Sequence, residues 1–354
     1  MYPRLVIDTR KIAENVRVLV GLCAQHGLRV CGVTKAVGAE PHIARVFAEN
    51  GVFAVGDSRL DDLARITGLA VPRLLIRPPH PAEAERVVRL ADVSVNTEVA
   101  TIRALDEACS KLGGKRHGIM LMADLGDLRE GFVSEEELMY TADAVASSRN
   151  LTLYGLGANL NCLSFILPDA AKMEQLATLS ERLCARIGVT GLEVSGGNSS
   201  TIRLMLEEGL PPQVTSLRLG ETLLVGRERA GYSYLPGTHD DAFVFQAGIV
   251  ELKDKPSKPW GTAGADSYGR YHEFEDRGIR RRAIAAFGHQ DADADVMWPL
   301  DAGVEVVDSS SDHTVLDVTD AQRDYAVGSI VEFKCGYHAI ARACTSPYVS
   351  RKVI

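Results

Sequence analysis

The chain has 354 residues, 46% of them hydrophobic, and carries a net charge of −8 at pH 7. It is too long for one ordinary domain and apolar enough for packed cores. The acidic balance argues against nucleic-acid binding, which needs a basic face, and no apolar run reaches the roughly 18 residues of a membrane span.

The opening stretch, MYPRLVIDTRKIAENV, lacks the charged-then-apolar order of a secretory leader. Its Leu5–Asp8 run reads as a strand able to join a later sheet. From residue 29 onward, short β-branched runs alternate with stretches carrying apolar residues at i, i+3 and i+4. Eight strands are expected: Arg29–Thr34, Val52–Gly56, Arg73–Arg77, Asp92–Asn96, His117–Asp124, Leu151–Asn159, Gly191–Ser195 and Ser216–Gly220. Helical patterns lie between them at Pro41–Asn50, Ala82–Leu90, Glu98–Leu112, Ser134–Ser148 and Ala170–Ile187. Eight near-regular units with right-handed crossovers favour a closed (β/α)8 barrel over an open doubly wound sheet.

Near residue 235 the pattern changes. FVFQAGIVELKDK, RRAIAAFG, GVEVVDSS, HTVLDVTD and SIVEFKCGY are strands with no long helices between them. The fold class is therefore α/β, an N-terminal (β/α)8 barrel followed by a mainly β domain. The expected division is 1–232 and 233–354, with residues 1–9 able to join the second domain. Seven scattered cysteines without a C-x-x-C pair read as reduced core residues of a cytoplasmic protein, with no metal site.

In such a barrel the C-terminal strand ends form the active-site face. Lys35 follows the first strand there, and Asn159 the sixth. A lysine so close to an interior either snorkels to solvent or is partly desolvated, and desolvation makes it a nucleophile toward aldehydes. The segment VSGGNSS runs from the seventh strand into a helix, with Asn198, Ser199 and Ser200 after two glycines. It reads as a phosphate loop or as an ordinary capped turn. Arg218, between two leucines in LRLGETLLVGR, needs a buried partner. That partner is either a carboxylate such as Glu221 or a ligand atom that can only accept, such as an unprotonated pyridine nitrogen.

Together VTKA, ADLGDLREGF, GANLNC, VSGGNSS, LRLGETLLVGR, FEDRGIRRRAI, SSDHTVLDVTD and ACTSPYVSR carry a resemblance. In order and spacing they resemble the fold-type III pyridoxal-phosphate enzymes of the alanine racemase group, and within it the alanine/ornithine racemase branch. The resemblance implies pyridoxal phosphate as cofactor, with Lys35 as its Schiff-base lysine. It implies that Arg218 bonds the pyridine nitrogen and that Asn159 lies beside the ring, where the family often has histidine. Asn198, Ser199, Gly220 and Tyr348 are implied as further cofactor contacts, and Arg129 as the residue near the substrate carboxylate. Ser311 and Asp312 are implied to enter the site of a partner subunit, so the expected unit is a homodimer with shared sites.

The matching stretch FGHQDAD places His289 where the family has its second base, a tyrosine, and makes His289 the expected second catalytic residue. Met122 stands where many relatives carry a modified lysine, and the Asp127/Arg129/Glu130 cluster is expected to replace its electrostatics. Carboxylates in these stretches, foremost Asp127 and Asp291, favour a substrate with a terminal ammonium, ornithine or lysine ahead of alanine. The same carboxylates could instead be partners of Arg129 or of the arginines in GIRRRAI. The rival readings are a non-catalytic carrier of the cofactor and a decarboxylase or lyase of the same fold. A metal-assisted lyase would need His338 and Cys344 as ligands, and their spacing matches no ligand motif.

Overall fold

Eight short parallel strands close into a barrel in strict chain order. In the computed structural model, which describes residues 1–262, 264–265, 269, 271 and 273–354, β1 is Arg4–Ile7 and lies outside this barrel. The barrel strands are β2 (Arg29–Val33), β3 (Ala54–Asp57), β4 (Arg73–Leu75), β5 (Val93–Asn96), β6 (His117–Ala123), β7 (Leu151–Ala158), β8 (Glu193–Ser195) and β9 (Ser216–Leu219). The ring closes where β2 pairs with β9, Cys31 opposite Arg218. The eight expected strands are all present, with ends shifted by up to two residues. The third stops at Leu75 rather than Arg77, ahead of the Pro78–Pro79 pair that cannot supply ladder donors.

The strands are buried on both faces, as parallel strands under helices must be, so they read as apolar runs rather than alternating ones. Cys31, Ala54, Leu74, Val93, Val95, Met120 and Met122 form one buried cluster. The longer surrounding helices are fixed at their starts by side-chain caps. Asp8 accepts from the amides of Arg10 and Lys11 at the head of Thr9–Gln25, and Asp169 from Lys172 at the head of Ala170–Ile187. These elements belong to a compact unit, Asp8–Ala242.

A second unit comprises Met1–Ile7 and Phe243–Ile354. Its strands are β10 (Phe243–Pro256), β11 (Ile279–Ala285), β12 (Met297–Pro299), β13 (Glu305–Ser309), β14 (Thr314–Asp317), β15 (Ile330–Cys335) and β16 (Ser350–Val353). They run β12-β15-β10-β11-β14-β13, and β1 pairs antiparallel with β10 and parallel with β16. Alternation along β10 and β15 turns Phe245 and Phe333 inward against Phe287, with ring centroids 5.0 and 5.4 Å apart. One helix the sequence reading did not place, Tyr337–Thr345, buries Ala339, Ile340, Ala343 and Cys344 at helical spacing. Among the described residues, no helix is long and apolar enough to cross a membrane.

Candidate active site

The C-terminal end of β2 sets the first group. β2 ends at Val33; buried Thr34 donates its hydroxyl to Asp57 Oδ2 at 2.8 Å, tying β2 to the end of β3. Lys35 then opens a single 3-10 turn that Gly38 ends with φ 56°. Lys35 is exposed at its rim, yet protein surrounds its ammonium closely enough to change its chemistry. Desolvation lowers its pKa, repulsion from Arg129 and Arg229 adds to the effect, and Cys162 and Asp57 oppose it. Burial also pushes the Asp57 carboxyl up to about 6, against the hydrogen bonds that favour its charge.

Arg218 reaches across the barrel interior from β9. Its Nη1 donates to Ser195 Oγ at 2.5 Å and its Nη2 to the Ala158 carbonyl at 2.7 Å. A Cβ on residue 157 would lie 2.9 Å from Nη1, so Gly157 makes room for the guanidinium. Glu221, the carboxylate considered from sequence, turns to Arg227 at 2.9 Å and Arg229 at 3.4 Å instead. Among the described residues no carboxylate pairs with Arg218, although it is only 7% exposed. A buried cation held by a hydroxyl and a carbonyl still favours a further acceptor.

Beside it lies a cup of hydroxyls. Ser199 Oγ accepts from the Thr222 amide at 3.3 Å, whereas Ser200 Oγ and Thr222 Oγ1 are buried with no partner among the described residues. Arg229 Nε is likewise buried and unpaired. Thr222 and Arg229 escaped the sequence reading; the signal for Thr222 was its place two residues past Gly220 at a barrel strand end. Cys162, read from sequence as core filler, is only half-buried, and it accepts from Asn198 Nδ2 at 3.5 Å. Asn198 also donates to Asn159 Oδ1 at 3.1 Å and to the Leu160 carbonyl at 2.8 Å.

The barrel residues expected near the substrate are placed unevenly. Arg129 is held by both oxygens of Glu130, through Nε and through Nη2 at 2.5 Å. Asp127 faces no open space. Fully buried, its carboxylate accepts from the amides of Cys162, Leu163 and Ser164 at 3.0–3.3 Å. Asp124 accepts from the amides of Gly126 and Leu128. These carboxylates hold loops, and of the sequence alternatives the geometry favours an internal partner over a substrate contact.

In the β unit, the loop carrying His289 and Asp291 meets the loop carrying Ser311 and Asp312. The His289 and Gln290 amides donate to the carbonyls of Ser310 and Ser311 at 2.8 and 3.0 Å. The loops lie so close that a Cβ on residue 288 would fall 2.3 Å from the Asp312 amide nitrogen. Asp291 is buried and accepts from the Gly288 amide at 3.1 Å, so it too closes its own loop; burial raises its pKa. Asp312 pairs with His313 at 2.9 Å. The His289 imidazole and the exposed Tyr348 phenol make no hydrogen bond among the described residues.

Comparisons with known proteins identify the family and the fold. Residues 7–228 match the family model described as alanine racemase, N-terminal domain. An ornithine racemase of Acetoanaerobium sticklandii is 37% identical over 354 residues, covering all of both chains. A lysine racemase of Thermotoga maritima is 35% identical over 99% of this chain and 98% of that one. A solved alanine racemase from Bartonella henselae, with covalently bound pyridoxal phosphate, superposes with a TM-score of 0.72. It does so at 16% identity and over 99% of each chain, a likeness of fold. The chain belongs to the alanine racemase family.

Proposed function

We propose, on the premise of that family membership, that the chain is a pyridoxal-phosphate-dependent amino-acid racemase acting on ornithine or lysine in preference to alanine. The observation that carries the chemistry is the set of unsatisfied groups around one barrel end. A desolvated amine, a buried guanidinium without a carboxylate and two unpaired buried hydroxyls fit a phosphorylated heteroaromatic aldehyde. The preference for a basic amino acid rests on the full-length similarity to the ornithine and lysine racemases.

Ser199, Ser200 and Thr222 would hold the phosphate, and Gly220 lets the backbone come close. Arg218 would face the pyridine nitrogen, which must then accept rather than donate a proton. Bound pyridoxal phosphate supplies the electron-withdrawing system that makes the Cα–H of an amino acid acidic. Lys35, whose desolvation disfavours its charged form, would take and return the proton on one face of Cα. Arg129, held by Glu130, would orient the substrate carboxylate.

His289 is the proposed proton carrier on the other face, contributed with Ser311 and Asp312 by a second copy of the chain, so that a homodimer holds two shared sites. No disulfide joins the cysteines among the described residues, which fits a reducing compartment, and the proposed location is the cytoplasm. Two tests follow. Purified protein should be yellow and racemise L-ornithine, and Lys35→Ala should lose both properties; a Lys35→Ala protein with a borohydride-reducible cofactor adduct would refute the lysine assignment. Mixing inactive Lys35→Ala and His289→Ala should restore about a quarter of wild-type activity, because half the dimers then hold one intact site. No recovery after subunit exchange would refute shared sites.

A further inference from the structure

The side chain of Asn198 is spent inside the protein, and its orientation is fixed by two groups whose polarity cannot change. Its Oδ1 accepts from the backbone N–H of Ser200 at 2.9 Å, a group that can only donate. Its Nδ2 donates to the carbonyl of Leu160 at 2.8 Å, a group that can only accept. An amide reversed by half a turn would lose both contacts, so the usual ambiguity between amide oxygen and nitrogen is absent here.

That orientation propagates. Asn198 Nδ2 also lies 3.1 Å from the side chain of Asn159, which must therefore present its oxygen. The Asn159 NH2 group is then turned the other way, and its nitrogen is buried with no partner among the described residues. A buried amide donor without an acceptor is costly unless a ligand completes it. Asn159 follows β7, next to Ala158, whose carbonyl holds Arg218. The unpaired donor thus stands beside the guanidinium assigned to the ring nitrogen.

We propose that Asn198 is a positioning residue that holds the Asn159 amide with its NH2 group toward the cofactor, making Asn159 a hydrogen-bond donor to the ring oxygen of bound pyridoxal phosphate. The inference rests on the cofactor assignment made above. The phosphate loop and the loop after β7 are then one unit: the Ser200 amide, through two side-chain amides, sets the polarity of a group at the ring. A donor at the ring oxygen favours its ionised form. Replacing Asn198 by aspartate keeps an acceptor for Ser200 but removes the donor, and leaves Asn159 free to turn its NH2 group toward the new carboxylate.

The test compares reconstituted holoenzymes of wild type, Asn159→Ala, Asn198→Asp and the double variant by pH titration of the cofactor absorbance, with cofactor dissociation constants measured alongside. Asn159→Ala and Asn198→Asp should each raise the pH at which the chromophore ionises by about one unit, and the double variant should add little more. A purely structural role would weaken cofactor binding and leave the titration in place. Should the aspartate variant fail to fold, Asn198→Ser carries the same comparison, since its short hydroxyl cannot span to Asn159. An Asn159→Ala titration that coincides with wild type overturns the donor role. A shift in Asn159→Ala without one in either Asn198 variant overturns the positioning role. A wild-type chain that takes up no cofactor overturns both this inference and the proposed function, whereas a yellow, racemising wild type with unshifted variants overturns this inference alone.

Discussion

Replacing Asp127 by asparagine separates a loop clamp from a substrate contact. The wild-type carboxylate is fully buried and takes three backbone N–H groups, those of Cys162, Leu163 and Ser164, at 3.0–3.3 Å. Asparagine offers one acceptor oxygen, and its NH2 group would face an amide N–H. All three donors lose an ionised acceptor, and one of them, Leu163 or Ser164, loses its acceptor altogether. At the weaker end of the range for bonds to charged groups, as these lengths warrant, the loss is about 3 kcal/mol. For a domain of this size the midpoint of thermal unfolding should fall by roughly 6–12 °C. The loop released contains Cys162 and lies against Asn198, so kcat/KM should fall by a similar factor for ornithine, lysine and alanine. Differential scanning fluorimetry and a chiral product assay over the three substrates measure both effects. An unchanged melting point with a selective loss of ornithine turnover would refute the clamp and restore Asp127 as a contact for the substrate's terminal ammonium.

Glu130→Gln should weaken the hold on Arg129 by removing the charge from a two-point contact, and about a tenfold loss in kcat/KM is expected, read from steady-state kinetics; an unchanged value would show that Arg129 needs no such brace. Asp57 has a carboxyl raised by burial to about 6, so its contribution is present below about pH 4 and is lost as pH rises through 6. Asp57→Asn should therefore gain on wild type, by up to about 3 kcal/mol, as pH climbs through that window. Parallel melting curves for the two proteins from pH 4 to 7 would contradict this. Gly288→Ala inserts a Cβ 2.3 Å from the Asp312 amide nitrogen. It should cost on the order of 1–3 kcal/mol, seen in the melting point, and should lower activity by parting His289 from Ser311; a variant as stable and active as wild type would show that the two loops move independently.

The sequence by itself determined the architecture and named Lys35, Arg218 and the Asn198–Ser200 loop, but not Thr222 or Arg229. Apolar runs of strand length alternating with helical patterns demand a parallel sheet covered by helices, and the shift to helix-poor strands near residue 235 signals a change of unit, which the structure puts at Phe243, because both signals are local periodicities. Lys35, Arg218 and the Asn198–Ser200 loop were legible for the same reason: each sits just after, or within, an apolar strand, where a polar side chain needs a cause. What the tertiary structure decided was how each polar group is satisfied. Glu221 pairs with Arg227 and Arg229 rather than Arg218. Asp127 is consumed by amides 35–37 residues away, and Asn198 by acceptors up to 39 residues away. A charge in a sequence shows that compensation is required, but hydrogen-bond partners are chosen by distance in space. That Ser200 Oγ, Thr222 Oγ1 and Asn159 Nδ2 are buried without a partner among the described residues is therefore visible only once every other partner has been placed.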